Sequence, residues 1–125
     1  MNREKQEAIR VIDEKKDKIV EVADRIWEYA ELSLMEERSA QLYCEVLEEE
    51  GFQVEKGICG IETAFSASYG SGRPLIGLLA EYDALSGLSQ KAGSLVREEL
   101  VSGGTGHGCG HNLLGAGAFA AALGV

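Results

Sequence analysis

The amino-acid sequence predicts an α/β chain, and three patterns carry that expectation. Apolar residues recur at helical spacing through the first fifty positions. Alternating and then continuous apolar runs occupy residues 52–80. A stretch of small apolar residues closes the sequence from 113 to 125. In order, these predict two N-terminal helices, a short mixed sheet and a C-terminal buried helix.

Residues 4–31 read as one long amphipathic helix. Ala8, Ile12, Ile19, Ala23, Ile26 and Ala30 form its apolar stripe, and Val22 and Trp27 widen it. Ser33 to Met35 break the pattern, and a second helix is expected from about Glu36 to Glu50, stopped by Gly51. Its apolar positions are Ala40, Tyr43, Cys44, Val46 and Leu47, with Cys44 read as a small buried hydrophobe. Glu48, Glu49 and Glu50 are contiguous, so they fan around the helix and predict a solvated acidic end.

Phe52 to Glu55 alternate as a short strand, and a second strand is expected from about Thr63 to Tyr69. Between them lies a loop bracketed by Gly57 and Gly60 and containing Cys59. Gly70-Ser71-Gly72-Arg73-Pro74 is a strong turn signal. Leu75 to Ala80 is then a continuous apolar run, the pattern of a central strand buried on both faces. Glu81-Tyr82-Asp83 follow at its C-terminal end, where open α/β sheets place their sites. Residues 84–108 form a long polar, glycine-rich connection of the length that is usually functional or partly disordered. Leu113 to Val125 reads as a helix whose small residues admit close neighbours. The sequence stops inside that pattern with no polar tail, which predicts a truncated chain, a partial domain over residues 1–125.

The 125 residues suffice for one domain with a real core. A formal net charge of −9 argues against nucleic acid as a partner, since phosphate binding needs a basic face. No apolar run approaches the roughly 18 residues needed to span a bilayer, so no membrane partner is expected. Three widely spaced cysteines make no disulfide framework, and the charged N-terminus lacks the apolar stretch of a signal peptide. A cytoplasmic location is the resulting expectation.

The chemistry concentrates in Gly103-Gly104-Thr105-Gly106-His107-Gly108-Cys109-Gly110-His111-Asn112, which holds both histidines of the chain. Cys109 and His111 stand two apart across a glycine, so a bent backbone aims both at one point. A thiolate with a neutral imidazole suits zinc and the later first-row ions. Spacing alone leaves open a glycine-rich loop that binds nothing, and it gives no separate reason to make His107 a ligand. A phosphate loop would need Lys-Ser or Lys-Thr after the last glycine, where His111-Asn112 stand. Gly115 to Ala120 fit the G-x-G-x-x-A form, but no strand directly precedes them, so helix packing is the better reading. Asp83 or Glu81 could bind a metal or orient a ligand histidine. A cysteine nucleophile at Cys109 lacks an identifiable orienting third member.

Three stretches together resemble a known family: Ile26 to Ser33, Gly77 to Leu85, and Gly106 to Asn112. The chain resembles the N-terminal part of the aminoacylase and carboxypeptidase-G type of metallopeptidase, in its amidohydrolase branch. Within that branch it is most similar to the aminobenzoyl-glutamate hydrolase subunits. The resemblance implies the N-terminal part of a zinc-peptidase-like catalytic domain, with the lid and dimerisation domain absent from these 125 residues. It implies that Cys109 and His111 are ligands of a two-metal centre taking Zn, Mn or Co, and that Asp83 orients the site. Relatives often carry aspartate where Glu81 stands, which leaves the role of Glu81 open. The implied reaction is hydrolysis of the amide bond of an N-acyl or aminobenzoyl amino acid, or of a small dipeptide, by a metal-activated water. The full-length protein is expected to be a homodimer and this fragment inactive. The competing expectation is a non-catalytic module whose loop holds a structural metal or none.

Overall fold

A computed structural model describes residues 2–125. The elements run α1 (Arg3–Glu14), α2 (Lys16–Tyr29), α3 (Glu37–Glu49), β1 (Gln53–Lys56), β2 (Phe65–Ser68) and α4 (His111–Gly124). A short 3-10 turn, Ile58–Gly60, lies between the strands. The chain is a mixture of helix and sheet, as its pattern predicts.

The expected long first helix is two. Lys15 leaves helical geometry at φ −97° and ψ 3°, and its N–H is shared between the carbonyls of Val11 and Ile12. The break lets α1 and α2 turn separately onto the same partner, since both pack against α4. Only α2 of the pair reaches the core, through Val22, Ala23 and Ile26. α2 ends where Ala30 turns left-handed at φ 44° and ψ 46°.

The core forms where α2, α3 and α4 meet: Val22, Ile26, Leu42, Tyr43, Val46, Leu47 and Phe119. Ile26 is fully buried, and burying an aliphatic side chain of that size stabilises by about 1.5–3 kcal/mol. Tyr43, Phe65 and Tyr82 form a three-way aromatic cluster, each ring centroid 5.3–6.2 Å from the other two. Cys44 is buried as expected, and burial pushes its thiol up.

Two acidic residues are tied down by contacts that spacing does not announce. Glu50 at the end of α3 is not solvated; it is paired with Lys15 and, at 2.9 Å, with Lys18. The Lys15 ammonium, with Lys18 beside it, holds its carboxyl below the usual range. Glu31 caps α3 from the preceding connection. Its carboxylate accepts from the N–H groups of Arg38 and Ser39 at 2.9 and 2.8 Å, and from the Ser39 hydroxyl at 2.7 Å. Those are orphan donors of a helix N-terminus, which a negative charge suits.

β1 and β2 form an antiparallel pair, with Gln53 opposite Ser68 and Val54 opposite Ala67. Among the described residues the sheet stops there. The expected central strand over 75–80 does not form. Those residues are exposed, with Leu75 at 87% and Leu79 at 98%, and they have no backbone partner among the described residues. A strand buried on both faces needs a ladder on each edge and layers above and below. Among the described residues nothing supplies either to this run.

α4 begins at His111 rather than Leu113, and it is buried on one side only. Asn112, Gly115, Ala116 and Phe119 face inward, while Leu113 and Leu114 face outward. The small residues do admit close neighbours: a Cβ on Gly115 would lie 2.3 Å from the Tyr43 hydroxyl.

Candidate metal centre

Residues 81–85 lie between two other stretches and are bonded to both. The Ala84 N–H donates to the Glu31 carbonyl at 2.7 Å, on the side of α2 and α3. On the other side Leu85 and Gly106 exchange backbone hydrogen bonds of 2.9 and 3.0 Å. The glycine-rich loop itself hangs on the C-terminal half of α2. The Thr105 hydroxyl donates to the Ala30 carbonyl at 2.5 Å, His107 Nε2 to that of Ile26 at 3.0 Å, and Asn112 Nδ2 to that of Ala23 at 3.3 Å.

Glycine is required in this loop at two positions for separate reasons. A Cβ on Gly106 would stand 2.0 Å from the Leu88 carbonyl oxygen, which no side chain tolerates. Gly110 sits at φ +73°, the left-handed conformation that starts α4 and swings His111 inward.

The consequence is a cluster. Asp83 Oδ1 lies 2.8 Å from His111 Nδ1, and Glu81 Oε2 lies 3.1 Å from His111 Nε2. Glu81, Asp83 and His111 each offer one ligand atom within 4.8 Å of the others. His111 and Asp83 are about one-fifth exposed and Glu81 about two-thirds. The Asp83 carboxylate can only accept, so Nδ1 carries a proton; when the imidazole is neutral, Nε2 keeps its lone pair and turns it toward Glu81.

Of the residues singled out from sequence, Asp83 and His111 are in contact. Cys109 lies in the same turn, exposed, and its thiol is not among the three clustered donors. Glu81 joins the cluster; the sequence signals for that were its spacing of two from Asp83, its place after the apolar run and its position where relatives often carry aspartate. His107 is a loop anchor. Its Nε2–H is committed to Ile26, and its buried Nδ1 finds no partner among the described residues. Desolvation lowers its pKa, against the hydrogen bond to Ile26, which raises it.

The donor chemistry fits a divalent ion. An imidazole with a carboxylate behind Nδ1 is the arrangement that fixes tautomer and raises the basicity of a ligand histidine. A second carboxylate stands before Nε2.

Comparison with known proteins bears on the same residues. No family model matches the chain. It is 46% identical over 124 residues to a subunit of the p-aminobenzoyl-glutamate hydrolase of Escherichia coli (strain K12), across 96% of this chain. The chain spans about a quarter of that relative's length, 26%. The resemblance carried by the three motif-bearing stretches therefore holds: over nearly all its length this chain is similar to an aminobenzoyl-glutamate hydrolase subunit.

Proposed function

We propose that the chain carries part of the catalytic site of a metal-dependent amidohydrolase. The whole protein would cleave the amide bond of an N-acyl or aminobenzoyl amino acid, or of a small dipeptide. The observation that carries this reading is the 2.8 Å contact of Asp83 with His111 Nδ1, in a chain 46% identical to a hydrolase subunit. His111 and Cys109 would hold the metal, one or two Zn, Mn or Co ions, and Asp83 is the orienting group. A divalent ion bound there supplies a Lewis acid for the scissile carbonyl and acidifies a water. Asp83 keeps the proton on Nδ1 and the imidazole plane fixed, so that Nε2 presents its lone pair without reorganisation. The hydrogen bonds of Thr105, His107 and Asn112 to α2 hold the turn that carries both proposed ligands. The relative is named as a subunit, which supports an assembly; we propose a homodimer for the whole protein.

Metal content of the purified chain, measured by mass spectrometry beside Cys109→Ser and His111→Ala variants, tests the reading. Near-stoichiometric metal in the parent chain, lost in both variants, is expected. Absence of metal from the parent, or its retention in both variants, would overturn the assignment. Purified alone, these 125 residues are expected not to hydrolyse an N-acyl amino acid at an appreciable rate.

A further inference from the structure

The Glu81 side chain stands where its carboxylate and the His111 imidazole would share one cation. We propose that Glu81 is itself a metal ligand, taking the same divalent ion as His111 Nε2 while Asp83 remains behind the ring. This rests on the metal-site reading above and adds a ligand to it.

Three features of the structure lead there. Asp83 accepts from Nδ1, so in the neutral imidazole Nε2 carries a lone pair, and the Glu81 oxygen facing it at 3.1 Å carries another. Two acceptors at that separation need a positive centre between them, which is either a metal ion or a proton on Nε2. The separation is also the right size. With metal–nitrogen and metal–oxygen bonds near 2.1 Å, two donors on one ion lie about 2.9 Å apart at a right angle and about 3.4 Å apart at the tetrahedral angle. The observed 3.1 Å falls between these.

The third feature is exposure. Glu81 is 65% exposed on its side chain, and among the described residues its side chain is held only by the contact with His111. A surface pair of that kind contributes little to folding. The fold therefore does not need this glutamate, and a ligand role is separable from a structural one by experiment. The opposing interpretation is an ordinary surface ion pair between Glu81 and a protonated His111. It predicts no dependence of metal affinity on Glu81.

The test uses the purified chain, stripped of metal with chelator, and its Glu81→Gln and His111→Ala variants. Cobalt(II) is titrated by its visible absorption and zinc by calorimetry. Gln keeps the length and removes the charge. The expected result is that Glu81→Gln binds both ions about tenfold or more weakly, the scale seen when a group supporting a metal site is lost. Its cobalt spectrum changes, and its metal-free melting temperature stays at that of the parent. If Glu81→Gln matches the parent in affinity and spectrum while His111→Ala loses the metal, the proposal is overturned and the metal-site reading stands. If the parent binds neither ion, or His111→Ala binds as well as the parent, that reading falls and this proposal with it.

Discussion

Residues 75–80 and residues 104–110 both lie outside regular secondary structure, yet they are held in opposite ways. The first is the more apolar, Leu-Ile-Gly-Leu-Leu-Ala, and stands exposed without a backbone partner among the described residues. The second is more than half glycine and is pinned from two sides. Its Thr105 and His107 side chains bond carbonyls of α2, and Gly106 is bonded in both directions to Leu85. Hydrophobicity favours burial only when there is something to be buried against. Backbone and side-chain hydrogen bonds order a loop only when their partners already have fixed positions. α2 meets that condition for the glycine loop, because Ile26 and Val22 lock it into the core. No described element meets it for residues 75–80.

The sharpest way to break the contrast is to lose the close approach that the glycine loop depends on. Gly106→Ala drives a Cβ to within 2.0 Å of a backbone carbonyl oxygen that cannot rotate away. Overpacking of this kind should cost about 3 kcal/mol, or roughly 10 °C in melting temperature for a domain of this size. A thermal melt followed by circular dichroism measures it. An unchanged melting temperature would mean that the 85–106 pairing is not formed in solution.

A smaller effect comes from pH. His107 is half-buried, and desolvation lowers its pKa below the ordinary imidazole value near 6.5. The unfolded chain therefore binds a proton first, and stability present above pH 6.5 is lost as the pH falls toward the folded value. Glu50, whose carboxyl is held low by Lys15 and Lys18, shifts stability in the same direction. Its window runs downward from the ordinary carboxylate value near 4.5, below that of His107, so the two separate. Urea midpoints between pH 7.5 and 5.5, in chelator, should fall for the parent chain and stay flatter for His107→Gln. Equal slopes would remove His107 as the source.

The smallest effect belongs to the bare run. Leu79 is 98% exposed, so Leu79→Ser should change stability by no more than about 0.5 kcal/mol. A loss above about 1 kcal/mol in chemical denaturation would show that these residues are covered in solution after all.

Much of the fold was legible in the sequence because it depends on neighbours three or four residues away. The stripes of α2 and α3, the Gly51 stop and the β1–β2 pair around a glycine loop follow from local periodicity and turn chemistry. Where a distant contact decides, the reading failed. The break at Lys15 goes with two helix directions that both meet α4. The burial of Glu50 needs lysines from residues 15 and 18. The run 75–80 has every local mark of a central strand and lacks the partners that would make it one.

The site divides along the same line. Residue types and spacing pointed to Cys109 and His111 without excluding a loop that binds nothing, and only the family resemblance made them a metal pair; Asp83 and Glu81 were singled out at the end of a strand that does not form. Only the tertiary structure decided that Asp83 takes Nδ1, that Glu81 faces Nε2, that the Cys109 thiol is not one of the three clustered donors and that His107 anchors the loop. Residues 83 and 111 are separated by 28 positions, and their meeting depends on Glu31 and Gly106 gripping the same short segment from opposite sides. No local pattern records such a meeting, since the free energy that holds it comes from packing and hydrogen bonds between elements far apart in the chain.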